Sequence, residues 1–260
     1  NREGIIIPGM PNFSLLEGEA ITLKDNGSYD WGLVGAFYRI SYSYKGKYLF
    51  ETSGRYDGNS KFPSNQRWGF FPSGSAGWRI SEESFLRNAE WLDNLKLRVS
   101  VGSAGNGLIS DTYAYLSTMS ISQSSLLNNG SVFNYTAAPS PIPDGLTWET
   151  ATTYDLGVDF EAFNGRLNFS ADIYRKKTTD MYVVGEELPA VYGNSAPKGN
   201  YADMHTDGWE ASISWRDNFK LGGKDFSYNL KFAIWDNVTK VTKYMATTNT
   251  LPTNYATNYY

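Results

Sequence analysis

The residues best suited to chemistry are four carboxylates, Asp155, Asp159, Glu161 and Asp172, which fall on the polar side of one expected hairpin. Two carboxylates facing each other across a gap are the apparatus of glycoside hydrolysis, one as acid and the other as base or nucleophile. A water-facing sheet wall accounts for them more simply, and Glu210 and Lys231 occupy the polar parity of two later strands. His205 is the single histidine and cysteine is absent, so no histidine-dependent triad or thiolate site is expected. Gly102, Gly105 and Gly107 do not fit a dinucleotide fingerprint, and Asp57-Gly58-Asn59 lacks the ligand series of a calcium loop. We expect no catalytic residue, no metal and no cofactor. Tyr113, Tyr115 and Tyr135 are the candidate cargo contacts, since loop rings stack on sugars, although such rings also pack their own loops.

The elements that must hold these residues are strands. From Thr152 to Glu161, Tyr154, Leu156, Val158 and Phe160 alternate with polar partners, and Leu167, Phe169, Ala171 and Ile173 do the same after Asn164-Gly165. Asn-Gly suits a type I′ turn, whose two central residues need positive φ. A two-residue turn there sets Phe160 against Phe169, Val158 against Ala171 and Leu156 against Ile173, all apolar pairs. The same reading places strands near 33–44, 48–56, 68–80, 94–103, 209–216 and 226–234, eight in all. Parity requires an odd-length loop at 45–47. Ser81-Glu82-Glu83 reads as a helix start, with Ser81 as cap, running to about Glu90. Residues 104–146 and 179–206 read as long loops, and 1–32 and 241–260 as loops at the ends.

Composition narrows the class. Aromatics make up 16 % of the 260 residues, with 19 Tyr and 8 Trp, while charged residues reach only 19 %. A net charge of -4 argues against nucleic acid, which demands a basic face. No apolar run reaches the length of about 18 residues that a transmembrane helix needs. Asn1-Arg2-Glu3-Gly4 carries neither a start methionine nor a signal peptide and reads as an internal piece of a longer protein.

Alternation alone permits a soluble sandwich or a membrane barrel. Three features favour the barrel: several strands sustain the pattern for about ten residues, short and long connections sort to opposite ends, and rings bracket an aliphatic band. Tyr44, Tyr48, Trp78, Phe160, Trp215 and Phe226 form the row at the short-turn end. Tyr56, Trp68, Trp148, Tyr154 and Trp209 form the row at the long-loop end. On this reading Asp155, Asp159, Asp172, Glu210 and Lys231 face the lumen.

Several stretches resemble one family. Residues 37–49 (FYRISYSYKGKYL), 54–62 (GRYDGNSKF), 67–73 (RWGFFPS), 76–83 (AGWRISEE), 91–98 (WLDNLKLR), 146–150 (LTWET) and 157–160 (GVDF) are similar, in order, to blocks of SusC/RagA-type TonB-dependent outer-membrane transporters. The resemblance implies an all-β antiparallel barrel of about 22 strands with a plugged lumen. This chain would supply about eight of them as a partial barrel domain over residues 1–260, without plug, TonB-contact segment or terminal strand. It further implies location in the outer membrane of Bacteroidota-like Gram-negative bacteria and import of oligosaccharides or peptides. The implied partners are a SusD-like lipoprotein, the TonB–ExbB–ExbD complex and outer-membrane lipid. The alternative is a soluble or surface-attached β-sandwich that binds glycans without transport.

Overall fold

The computed structural model describes residues 3–5, 16–17, 30–107, 109, 114–117, 119, 121–128, 131–136, 139, 141–143 and 145–244. Its strands are β1 (Glu3–Ile5), β2 (Leu16–Glu17), β3 (Leu33–Tyr44), β4 (Tyr48–Asn59), β5 (Trp68–Arg79), β6 (Leu92–Asn106), β7 (Ile121–Asn128), β8 (Ser131–Thr136), β9 (Glu149–Ala162), β10 (Leu167–Val184), β11 (Lys198–Leu221) and β12 (Lys224–Tyr244). Eight of them form one antiparallel sheet in the order β12-β11-β10-β9-β6-β5-β4-β3, while β1–β2 and β7–β8 are separate two-stranded pairs. The fold is all-β, and a single eight-stranded sheet replaces the two packed sheets of a sandwich.

Turn chemistry sets the register. Asn164 and Gly165 take φ of 58° and 72°, the left-handed pair that a type I′ turn requires. Phe160 then faces Phe169, Val158 faces Ala171 and Leu156 faces Ile173, as the alternation demands. Across the odd-length loop 45–47, Ile40 pairs with Thr52 and Tyr44 with Tyr48. Connections at 45–47, 80–91, 163–166 and 222–223 lie at one end of the sheet; 60–67, 107–148 and 185–197 lie at the other.

The short-turn end is stitched across strands. The Arg79 amide donates to the Lys47 carbonyl, the Phe163 amide to the Trp91 carbonyl, and the Gly165 amide to Asp93 Oδ2. Glu83 takes three donors: Lys47 Nζ at 2.9 Å, Tyr48 Oη at 2.8 Å and Trp78 Nε1 at 3.1 Å. The Lys47 hydrogen bond, followed by those of Tyr48 and Trp78, holds its carboxyl down at about 2. The expected helix is absent. Ile80–Glu82 is a 3-10 turn preceded by Arg79, no side chain caps it, and the buried Ser81 Oγ has no partner. Glu83, instead of serving a helix dipole, locks two turns together.

Two long loops prove shorter than expected. β10 runs to Val184 and β11 begins at Lys198, so most of 179–206 continues the ladder. Residues 121–136 hold the β7–β8 hairpin, and β12 extends to Tyr244. Met181, Val183 and Ala202 form a buried cluster in this extension, with Met204 and Tyr244 packed against it.

Candidate functional site

The ladder gathers the polar residues into rows. Arg98, Gly157, Asp172, Glu210 and Trp235 stand side by side across five strands. Arg98 Nε donates to Asp159 Oδ2 at 2.7 Å, and Nη2 donates to Asp159 Oδ1 at 3.0 Å and Asp172 Oδ2 at 3.2 Å. One guanidinium thus ties two carboxylates, and its planar fork suits that task. Gly157 lies beneath it because a Cβ there would meet Asp172 Oδ1 at 2.0 Å and Arg98 Nη2 at 2.8 Å. Arg98 fills the gap that a glycosidase keeps open for its substrate. Asp155 lies one row towards the long loops, opposite Ser100 and Tyr174, and Lys231 stands opposite Ser214.

Towards the long-loop end the same sheet bears a cavity of about 850 Å³. Phe37, Arg39, Arg55, Asp57, Phe71 and Trp148 are among its lining residues. Arg55 Nε donates to Asp57 Oδ2 at 3.0 Å, and Arg39 Nη2 donates to Glu51 at 2.8 Å. Trp148 is packed against Phe62 and Phe71, with ring centroids 5.0 and 5.4 Å away. Its indole N–H donates to the Arg67 carbonyl at 3.1 Å, satisfying the polar edge that burial would otherwise penalise. Asn59 ties the rim, donating to the Gly107 carbonyl and accepting from the Lys61 amide. The exposed Phe37 ring beside ion-paired Arg39 and Arg55 gives a surface that can contact a planar or apolar ligand and hydrogen-bond its polar groups, while the buried Trp148 and Phe71 back the cavity wall.

The opposite face is apolar, and no described residue covers it. Ile173 and Leu230 are 58 % and 67 % exposed, and Ile40, Phe50, Val99 and Ile213 are also exposed. Above this band Tyr56 stacks on Trp68 with centroids 5.0 Å apart, and Tyr154 and Trp209 project alongside Ile173.

A family model for TonB dependent receptor-like β-barrels matches residues 10–259. The chain belongs to the TonB-dependent receptor β-barrel family. TonB-dependent receptor P3 of Formosa agariphila is 34 % identical over 232 residues, covering 88 % of this chain and 22 % of that protein. TonB-dependent receptor SusC of Bacteroides thetaiotaomicron is 34 % identical over 218 residues, covering 81 % of this chain and 21 % of that protein. The chain therefore spans about a fifth of the length of these curated relatives. Among solved structures, the RagAB peptide transporter aligns with a TM-score of 0.67 at 23 % identity, over 82 % of this chain and 23 % of that one. The RagAB peptide importer in its closed-closed state gives 0.67 at 24 % identity, over 86 % and 24 %. These two show a shared fold.

Within this TonB-dependent barrel segment, the expected site residues divide. Asp155, Asp159, Asp172, Glu210 and Lys231 share the polar face. Tyr115 is half-buried in a turn and Tyr135 is exposed on β8, and neither lines the cavity. Tyr113 lies outside the described residues. Trp148, expected in the outer aromatic row, is instead 7 % exposed and lines the polar-face cavity. It precedes β9, so strand parity does not govern it. The cavity residues were missed, yet Phe37 and Phe71 carry a signal: they are rings on the polar parity of their strands. Glycines provide another, because a Cβ at Gly105 would meet Phe71 at 2.0 Å and one at Gly107 would meet Trp148 at 2.7 Å.

Proposed function

We propose that this sheet is a wall segment of a larger closed barrel in the outer membrane of a Gram-negative bacterium, and that the whole transporter imports oligosaccharides or peptides. One observation carries the reading: an aliphatic band with none of the described residues over it, bracketed by aromatic rows, on the face opposite the Arg39–Glu51 and Arg98–Asp159 pairs. Water penalises such a band heavily, whereas a hydrocarbon phase covers it and interfacial rings flank it. The polar face, with Asp155, Asp159, Asp172, Glu210 and Lys231, then lines the lumen. The cavity beside Trp148 lies on the cargo side of that wall.

Peptides are the cargo named for the RagAB importer, whose fold this chain shares, and oligosaccharides are the other class that the SusC/RagA-type resemblance implies. In this reading a SusD-like lipoprotein covers the long-loop end and TonB–ExbB–ExbD supplies energy through a part of the protein beyond this sheet. The test is uptake of labelled oligosaccharides and labelled peptides by cells with and without the full-length gene, each in the presence and absence of TonB. We expect one class to lose TonB-dependent uptake on deletion and regain it on complementation. Unchanged uptake of both classes would overturn the assignment.

A further inference from the structure

On the apolar face, just beyond Tyr154 and Trp209, the ladder assembles a compact basic group. Ile173 and Trp209 are direct partners; the next outward pair on that face is Arg175 with Asp207, and the next is Lys177 with His205. His205 pairs onward with Lys240 of β12. Lys177, His205 and Lys240 therefore form one row across three strands, with successive Cβ atoms about 5 Å apart. Contacts confirm that the group shares the face of the outer aromatic row. Lys177 Nζ lies 5.7 Å from the Tyr154 ring centroid, Arg175 Nη2 donates to Asp207 Oδ2 at 2.7 Å, and His205 Nε2 lies 3.6 Å from the same oxygen.

Two carboxylates face the group. Asp207 is engaged by two nitrogens of Arg175, and Asp236, beside Trp209, accepts from the Asn237 amide. Lys177 and Lys240 are exposed, and neither makes an ion pair among the described residues. Two exposed ammonium groups without a salt-bridge contact among the described residues, Lys177 over the Tyr154 ring and Lys240 within electrostatic reach of Asp207, thus stand directly above a ring row that tops an aliphatic band. A soluble anion has no reason to be sought at that height. A lipid whose acyl chains cover Ile173 and Leu156 carries its headgroup to just that level, and phosphate oxygens accept charge-assisted hydrogen bonds from several lysines at once.

We propose that Lys177, His205 and Lys240 bind the phosphorylated headgroup of an outer-leaflet lipid, with Arg175–Asp207 as the floor of the site. The inference rests on the outer-membrane reading above. Its test uses the full-length transporter purified in detergent, with lipid A bearing phosphate as probe, its dephosphorylated form as comparison, and retained lipid read by native mass spectrometry. Lys177→Gln with Lys240→Gln should weaken retention of the phosphorylated form about a hundredfold, roughly tenfold for each lost charged hydrogen bond. Lys231→Gln, on the polar face, should leave it unchanged. Equal retention by the double variant, equal binding of dephosphorylated lipid A, or full competition by inorganic phosphate alone would each overturn the proposal. A fluorophore on Ala211→Cys, challenged with nitroxide-labelled lipid in vesicles, separates the two levels. Quenching without phosphate-dependent retention defeats the lipid site and leaves the barrel standing; absence of quenching defeats both.

Discussion

Placing arginine at two adjacent rungs tests which face meets hydrocarbon. Ala211 of β11 pairs with Ile234, and Ser212 pairs with Ala233 of β12, so Ala211 and Ala233 occupy neighbouring rungs on opposite faces. Ala211 stands in the row of Val158 and Ala171, between the two aromatic rows, while Ala233 stands in the row of Ser170 and Asp159. Because both changes are Ala to Arg in neighbouring strands, propensity and side-chain entropy largely cancel. Ala211→Arg must hold a guanidinium in hydrocarbon or thin the bilayer to reach water, at a cost of about 2–4 kcal/mol near the midplane. Ala233→Arg enters a wet, exposed wall and should change stability by about 0.5 kcal/mol or less. The difference, about 1.5–4 kcal/mol, corresponds to about 10- to 700-fold in the folded-to-unfolded ratio. Urea unfolding of the full-length protein in lipid vesicles reads both. Equal costs, or a larger cost at Ala233, would refute the assignment of faces.

Three further outcomes follow from particular contacts. Gly157→Ala should destabilise by about 1–3 kcal/mol, because its methyl would enter the Arg98–Asp172 contact; Gly74→Ala, where the nearest atom is 3.8 Å away, should be tolerated in the same denaturation assay. Trp148→Ala should cost about 3–5 kcal/mol by emptying the Phe62–Phe71 cluster, and cargo binding measured by calorimetry should fall with it. The Glu83 carboxyl is held below its ordinary value of 4.5, so its contribution is complete above that pH and fades as pH falls towards 2. Hydrogen-exchange protection at the 80–91 turn, corrected for the intrinsic pH dependence of exchange, should fall over that window in the native protein, and Glu83→Gln should abolish this change in protection.

The strand pairs around Val158 and Ala171 were legible because one face of the sheet is apolar and the other polar, which writes period two into the residues. That signal ends where the apolar band ends. Beyond Arg175 both faces of β10 and β11 are polar or mixed, so the ladder continues to Val184 and from Lys198 without a hydropathy mark. The polar wall was readable from parity, but not the pairing of Arg98 with two carboxylates from β9 and β10, which requires knowing strand order. Trp148 was misplaced because it sits before its strand begins, where tertiary packing against Phe62 and Phe71 decides its direction. Ser81 offered good capping chemistry, but residues 80–91 form a 3-10 turn and further single turns in place of a helix, and Glu83 is drawn to Lys47, Tyr48 and Trp78.

The continuation of β10 and β11 past the outer ring row also has a mechanical meaning. About ten rungs stand above Ile173, which at 3.3 Å per residue is roughly 30 Å of wall measured along the strand. Apart from the irregularity between Thr178 and Tyr182, its rungs are paired across β10 and β11, so this parapet resists bending more than free loops of equal length. Force applied at its crest is carried down the strands to the aliphatic band instead of being lost in local slack. If the proposed import holds, selectivity at this end would change by exchanging side chains on fixed rungs, and the motion that admits a molecule would come from outside this sheet.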